Sequence, residues 1–67
     1  MPLIEVNGAV REVEAGRTVR GLLEDLDLDD RLVVVELNRR IVRRDHRADA
    51  VLQDGDRVEI VHFVGGG

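Results

Sequence analysis

Cysteine, lysine, serine, tyrosine and tryptophan are absent from the chain, and threonine occurs once. The absence of cysteine excludes disulfides, zinc–thiolate sites and iron–sulfur clusters. Because three common nucleophiles are missing, covalent catalysis has almost no candidate side chain, and we predict that the protein is not an enzyme. The absence of lysine also leaves no side chain on which copies of the protein could be joined through isopeptide bonds.

Long hydrophobic runs are also missing. The longest apolar runs span only a few residues, far below the ~20 that a membrane helix needs. The opening M-P-L-I-E-V has neither the basic region nor the long apolar core of a secretory signal. We therefore expect a cytoplasmic protein that has no membrane partner.

Charged residues, in contrast, are abundant. The 67 residues carry a net charge of −4, and all ten basic residues are arginine. An acidic balance argues against a general nucleic-acid binder. A chain of this length forms one small domain that buries about 60% of the surface its unfolded form exposes, so its stability depends on apolar packing.

The first half of the chain predicts a hairpin followed by a helix. Leu3–Val6 alternates and leads into Asn7-Gly8, the strongest short signal for a two-residue hairpin turn. Strict pairing would place Arg11 opposite the apolar Ile4, so we expect a bulge in the return strand. That strand is predicted over 9–13, with its two valines, Val10 and Val13, turned inward.

The helix is predicted to begin after Thr18, whose hydroxyl is a suitable N-cap. Gly21 costs about 1 kcal/mol relative to alanine inside a helix, which suggests a close packing contact. The helix is expected to end near Leu26. Its apolar positions follow the i, i+3, i+4, i+7 spacing of one helical face: Val19, Leu22, Leu23 and Leu26.

The second half predicts strands. The β-branched run Leu32–Leu37 predicts a central strand buried mostly on both faces. Ile41-Val42 is a short return strand, 43–52 is irregular, and the turn 53–56 precedes a last strand over 57–64. A helix on a hairpin joined by later strands is a two-layer α+β domain. We predict a β-grasp: a mixed sheet of four to five strands packed on one helix, in a single domain over 1–64 with a flexible tail, 65–67.

Three groups of polar residues are candidate sites. An acidic run matches four positions of a calcium loop, but Asp30 stands where that loop needs glycine, so a solvated loop is favoured. An arginine cluster has no neighbouring aromatic residue for base stacking and reads as a solvated rim that could contact an acidic partner or a phosphate. His46 and His62 match no metal-ligand spacing. The calcium-loop positions are Asp25, Asp27, Asp29 and Glu36, and the cluster is Arg39, Arg40, Arg43, Arg44 and Arg47.

The last strand predicts a docking surface. Alternation places Val58 and Ile60 on one face, under the helix, and Val61 and Phe63 on the other. Val34 of the preceding long strand joins them. Clustered apolar side chains on an open sheet face indicate a partner-binding site.

The end of the chain resembles a known family. The segment D-G-D-R-V-E-I-V-H-F-V-G-G-G is similar to the carboxyl end of the ThiS family, the sulfur-carrier proteins of thiamin (thiazole) biosynthesis. N-R-R-I-V and A-G-R-T-V-R-G-L-L also resemble that family. Arg43 and Arg47 stand where the family commonly has proline and tryptophan, which weakens any contact inferred for that segment.

This resemblance implies a mechanism. In the family, a ubiquitin-activating-like (ThiF-like) partner adenylates the C-terminal glycine with ATP and Mg²⁺, and a persulfide donor then supplies sulfur. The implied product is a thiocarboxylate at Gly67, used by thiazole synthase (ThiG-like). Gly65 and Gly66 would form a slim tail that enters partner active sites. The carrier binds no cofactor itself and is expected to be a monomer.

Several alternatives stay open on the sequence. Molybdopterin-synthase small subunits also end in Gly-Gly on a β-grasp, and other pathways use sulfur carriers. A protein-conjugation tag uses the same activated glycine. A β-grasp module that binds a ligand or RNA through the arginine cluster is a further class, which the acidic balance disfavours.

Overall fold

The computed structural model describes residues 1–63, in which one helix packs on one face of a five-stranded mixed sheet. The strand order is β2-β1-β5-β3-β4, with β5 parallel to β1 and antiparallel to β3. This arrangement is the predicted α+β architecture. Val64 and the glycine segment 65–67 lie outside the described residues. The elements are β1 Leu3–Val6, β2 Ala9–Glu12, α1 Val19–Asp25, β3 Val33–Leu37, β4 Arg40–Ile41 and β5 Arg57–His62, with short 3-10 turns at Asp30–Leu32 and Arg44–His46.

The β1–β2 hairpin has a strict two-residue turn. Asn7 and Gly8 both have positive φ, 49° and 86°, as a type I′ turn requires. Ile4 pairs directly with Arg11, so the expected bulge is wrong, and Val10 is 68% exposed rather than inward. Val13 is buried as predicted, because it shares a face with Arg11 by simple alternation.

The helix begins and ends close to the predicted residues. The Thr18 hydroxyl accepts a hydrogen bond from the Gly21 backbone N–H at 3.0 Å, and the last helical residue is Asp25. The predicted apolar face meets the sheet, with three residues fully buried and Leu26 partly buried against them. The fully buried residues are Val19, Leu22 and Leu23.

Gly21 provides room for the side chain of Arg17. A methyl group at Gly21 would lie 2.7 Å from the Arg17 Cδ, which is closer than van der Waals contact. The Arg17 Nε in turn lies 3.1 Å from the Asp25 Oδ2 at the other end of the helix. The close packing expected at Gly21 is therefore a contact with an arginine stem that crosses the helix to reach its ion-pair partner.

This contact predicts a non-additive mutation pair. In the Arg17→Ala background we expect Gly21→Ala to raise the free energy of unfolding by about 1 kcal/mol, the helix-propensity gain. In the parent chain the same substitution should raise the free energy of unfolding clearly less, because the new methyl group displaces the aliphatic part of the Arg17 side chain. Urea denaturation of the four proteins measures this coupling. Equal gains in both backgrounds would show that Arg17 does not restrict this position.

Strand β3 is buried on one face only. Val33 and Val35 point under the helix and are 4% and 0% exposed, whereas Val34 is half-buried on the opposite face. The prediction of burial mostly on both faces is wrong because, among residues 1–63, only the helix layer packs on the sheet. The strand also begins one residue later than predicted, after the 3-10 turn, and its return strand is Arg40–Ile41 rather than 41–42.

Two turn asparagines tie the central strand β5 to its neighbours. The Asn7 side chain accepts from the Ile60 N–H at 2.7 Å and donates to the Ile60 carbonyl at 3.1 Å. The Asn38 Oδ1 accepts from the Arg57 N–H at 2.9 Å, and the Asn38 N–H donates to the Arg57 carbonyl at 2.8 Å. Asn38 also has positive φ. The asparagine of the N-R-R-I-V segment therefore both turns the chain and fixes the start of β5.

Candidate functional site

An apolar patch lies on the open face of the sheet, near the end of β5. Val61 pairs directly with Val34 across the β3–β5 ladder. Val61 and Phe63 are 61% and 53% exposed, while Val34 is half-buried. The Phe63 N–H donates to the Leu32 carbonyl at 2.8 Å, which extends the ladder past the last residue of β5. We call Val34, Val61 and Phe63 the sheet patch. Its members lie where the sequence predicted them, and their role in docking stays a prediction.

Charged residues lie beside the sheet patch on the same face. Glu36 and Glu59 are directly opposite each other on β3 and β5, and like charges in that arrangement repel. Farther along, Arg57 Nε pairs with Glu5 Oε2 at 3.1 Å. The sheet patch therefore has a negative border on the side that faces the start of β5.

The sheet patch directly precedes the glycine segment in the chain. Phe63 is the last described residue, and Gly67 follows four positions later. The predicted roles of Gly65, Gly66 and Gly67 lie outside the described residues and stay predictions. A partner that binds the sheet patch would nevertheless contact the chain within a few residues of them.

The arginine cluster does not form one solvated rim. Arg47 is 4% exposed, so this prediction is wrong for that residue. Its guanidinium donates three hydrogen bonds to backbone carbonyls: Nε to Val42 at 3.1 Å, Nη1 to Asp30 at 2.6 Å and Nη2 to Val33 at 2.9 Å. Burial lowers the pKa of Arg47, and the nearby Asp30 charge opposes that effect. Arg47 is a buried structural residue. The one feature of the sequence that indicated its burial was its alignment with a position where the ThiS-like proteins commonly have tryptophan.

The other arginines of the cluster stay at the surface. Arg44 forms an ion pair with Asp30, Nε to Oδ2 at 3.7 Å. Arg39, Arg40 and Arg43 are exposed and make no ion pair with any other residue in the described range 1–63. The cluster thus contains one core residue, one ion-paired residue and three residues that form no ion pair within 1–63.

The acidic loop is held by an arginine fork. Asp29 receives hydrogen bonds from Arg31 through Nε at 3.0 Å, Nη2 at 2.8 Å and the backbone N–H at 3.0 Å. These bonds lower the pKa of Asp29 from 3.8 to about 2. Across residues 1–63, no three His, Asp or Glu side chains are placed to hold a metal ion. The calcium-loop pattern therefore has a structural explanation at Asp29, as the cap of the following 3-10 turn.

Neither histidine belongs to a cluster. His46 is exposed, with its Nε2 3.8 Å from Asp45 Oδ2, and His62 is exposed at the end of β5. No helix in the described part of the chain has the length and apolar character to cross a membrane.

These features define a β-grasp domain with an exposed apolar patch just before a glycine segment. The model of the ThiS family matches residues 4–67. The crystal structure of the thiamine biosynthesis protein ThiS from Geobacter metallireducens superposes with a TM-score of 0.79 at 34% identity, covering 97% of this chain and 99% of that one. The sulfur carrier protein ThiS of Bacillus subtilis is 36% identical over 66 residues, which are 97% of this chain and all of that protein. The chain belongs to the ThiS family.

Part of a larger protein is also similar to this chain. The thiazole synthase of Magnetococcus marinus is 44% identical over 64 residues, and that of Paramagnetospirillum magneticum is 45% identical over 62. These stretches are 96% and 92% of this chain, but the chain spans only about a fifth, 20% and 19%, of those two proteins.

Proposed function

We propose that this protein is a sulfur carrier for thiazole formation in thiamin biosynthesis, with the C-terminal carboxylate of Gly67 as the loading site. The family match carries this proposal, because it extends through residue 67 and so includes the glycine segment. The carrier supplies no catalytic side chain; it supplies a recognisable surface and a reactive end. Loading by an ATP-using partner would take place in the cytoplasm.

The first step is activation of the carboxylate. A C-terminal carboxyl group has an ordinary pKa of about 3.3–3.7, so it is ionised at neutral pH and is a poor electrophile. In a ubiquitin-activating-like partner, an oxygen of this carboxylate attacks the α-phosphorus of ATP, assisted by Mg²⁺, and pyrophosphate leaves. The resulting acyl-adenylate has AMP as a good leaving group.

The second step exchanges oxygen for sulfur. The terminal sulfur of a persulfide on a donor protein attacks the acyl carbon, AMP leaves, and an acyl disulfide forms. A thiolate then attacks the donor sulfur, which breaks the S–S bond, leaves a new disulfide and releases the thiocarboxylate on Gly67. Because the chain holds no cysteine, the persulfide and the thiolate both belong to other molecules.

Thiazole synthase is the proposed acceptor of the sulfur. Two thiazole synthases contain a stretch that is 44% and 45% identical to this chain, which supports a functional pairing of the two kinds of domain. The sheet patch is the proposed contact surface for both the activating enzyme and the acceptor.

The sheet patch yields a binding prediction. We expect Phe63→Asp or Val61→Asp to weaken binding to the activating enzyme and to thiazole synthase by about 2 kcal/mol or more, as is common for central apolar anchors. Both side chains are more than half exposed, so the melting temperature should change little. Calorimetric titration with each partner measures the affinity.

Val10→Asp is the matched control, because Val10 is 68% exposed on the same open face but lies on the edge strand β2. It should bind both partners like the parent chain. If Phe63→Asp unfolds the domain, as seen by circular dichroism, Phe63 has a core role and its assignment to docking is wrong. If Val10→Asp weakens binding equally, general charge repulsion explains the effect.

Intact-mass measurement tests the proposed function itself. The protein is purified from its own cells without a C-terminal tag. We expect a fraction whose mass exceeds that of the parent by one sulfur-for-oxygen exchange, located to Gly67 by peptide fragmentation. Loss of this species in cells that lack the activating enzyme but retain thiazole synthase would support the loading route. Covalent attachment of Gly67 to other proteins would instead identify a conjugation tag.

A further inference from the structure

Three arginines at the β4 edge of the sheet have no side-chain partner among the described residues. Arg39, Arg40 and Arg43, the edge arginines, are exposed and form neither an ion pair nor a side-chain hydrogen bond with any residue in 1–63. Most other arginines are engaged: Arg17, Arg20, Arg31, Arg44 and Arg57 in ion pairs, and Arg47 with backbone carbonyls. Three guanidinium groups within five residues, none paired with another residue of 1–63, form a local positive surface on an acidic protein.

The same edge offers unpaired backbone groups. In the described sheet, β4 is an edge strand that pairs only with β3, with Ile41 opposite Glu36. The Val42 N–H donates to the Val35 carbonyl at 2.8 Å. Because neighbouring residues of an antiparallel strand alternate between pairing inward and pointing outward, the Ile41 N–H and C=O point away from β3. The Ile41 side chain is 66% exposed.

We propose that the β4 edge binds an extended, carboxylate-bearing segment of a partner protein. The segment adds as a strand at Ile41, its backbone bonds to the outward N–H and C=O, and its acidic side chains pair with the edge arginines. Strand addition takes affinity from backbone bonds and specificity from side chains. Guanidinium groups bind carboxylates in a two-bond fork. Positive charges on an edge strand oppose pairing with neutral or basic strands. The same charges attract an acidic strand.

A protein partner fits this surface better than a nucleic acid. Phe63 is the single aromatic residue, and it belongs to the sheet patch rather than to the β4 edge. Acidic side chains flank the edge arginines: Glu36 of β3 lies opposite Ile41, and Asp45 comes two residues after Arg43. These carboxylates would repel a continuous phosphate backbone, whereas an extended peptide can place its charges between them. The edge arginines and Ile41 share no residue with the sheet patch, so this interaction goes beyond the proposed sulfur-carrier function.

An NMR titration tests the proposal with defined probes. The full ¹⁵N-labelled chain is titrated with a capped octapeptide of alternating glutamate and valine, with the matched glutamine–valine peptide and with oligouridylate. We expect the glutamate peptide to shift the backbone amides of residues 39–43, to protect the Ile41 amide from hydrogen exchange, and to bind more weakly as salt screens the charges. The glutamine peptide should bind about tenfold more weakly or not at all, since exposed ion pairs are each worth up to ~1 kcal/mol.

Two variants separate charge from backbone pairing. The double variant Arg40→Gln, Arg43→Gln should bind the glutamate peptide several-fold more weakly than the parent chain. The control is Arg20→Gln, which removes an exposed arginine on the helix and should leave the affinity for the peptide unchanged. Ile41→Pro removes only an outward N–H and should abolish binding with the melting temperature preserved. The proposal would be overturned by any of four results. These are equal binding of both peptides, shifts confined to the sheet patch, unchanged peptide binding by the double variant, and a preference for oligouridylate. If Ile41→Pro lowers the melting temperature, its loss of binding reports unfolding, and the test of the proposal then rests on the double arginine variant.

Discussion

A chain that lacks Gly67 is expected to lose sulfur loading completely while keeping its melting temperature. The reacting carbonyl must lie at the α-phosphorus of ATP in the partner enzyme, and one residue moves the chain end by about 3.3–3.6 Å. A misplacement of about 1 Å already costs on the order of 10²-fold in rate. Glycine has no side chain to pack, so its removal should leave the free energy of unfolding unchanged.

ATP–pyrophosphate exchange with the activating enzyme, run beside thermal melts, measures this effect. One glycine added after Gly67 should be equally inactive, because it displaces the carboxylate by the same distance. Gly66→Ala should be milder but harmful, since its methyl group widens a chain that enters a narrow site. Full exchange activity in the shortened chain would show that Gly67 is not the loading site.

The shortened chain and the Phe63→Asp chain should fail in different ways. If docking and chemistry use separate parts of the protein, loss of Gly67 lowers the turnover of exchange and leaves the apparent affinity for the enzyme unchanged. Phe63→Asp should raise the carrier concentration needed for half-maximal exchange and leave turnover at saturation near normal. The same defect in both variants would place the sheet patch and the glycine segment in one undivided site.

The elements of this fold were readable from local sequence patterns. The alternation in Leu3–Val6 and in the last strand, the Asn7-Gly8 turn and the helical spacing after Thr18 each involve residues that are neighbours in sequence. These elements are confirmed, but β5 ends at His62 rather than at the predicted residue 64, which lies outside the described residues. The exposed placement of Val61 and Phe63 followed from the same alternation. Period-2 and period-3.6 patterns are reliable here because, in the part of the chain that the structure describes, one face of the sheet is covered and the other is open.

The errors arose where distant segments meet. A run such as Leu32–Leu37 looks buried on both faces because its composition is apolar, but no element within residues 1–63 covers the second face of the sheet. Arg11 was expected to avoid the position opposite Ile4, but at the margin of a small sheet it is only half-buried there. Arg47 was the largest error, because its acceptors at residues 30, 33 and 42 come together only in the folded chain.

Arg47→Ala is expected to lower the free energy of unfolding by about 3 kcal/mol or more. Leaving a buried polar group without a partner costs roughly 1–3 kcal/mol, and the carbonyls of Asp30, Val33 and Val42 would each lose a donor from Arg47. The truncation also leaves a cavity. A loss of this size is a large part of the ~5–15 kcal/mol that stabilises a typical domain.

Urea denaturation of Arg47→Ala and of Arg43→Ala provides the comparison. Arg43 is an exposed arginine in the same segment with no ion pair to the other residues of 1–63, and its removal should change stability by no more than about 0.5 kcal/mol. Arg47→Lys should recover only part of the loss, because one ammonium group cannot span three carbonyls as the planar fork does. Arg47→Trp, the residue common at this position in the resembled family, should refill the volume without replacing all three bonds.

The expected size of the effect follows from how many elements Arg47 joins. Its side chain bonds the start of β3, the residue after β4 and the 3-10 turn at Asp30–Leu32, and its carbonyl accepts from the Arg20 N–H in the first turn of the helix at 3.0 Å. Truncation removes only the side-chain bonds, so hydrogen exchange should increase first in β3 and β4 and less in the β1–β2 hairpin. If Arg47→Ala unfolds no more easily than Arg43→Ala, water replaces the guanidinium at the three carbonyls and Arg47 is dispensable for the fold.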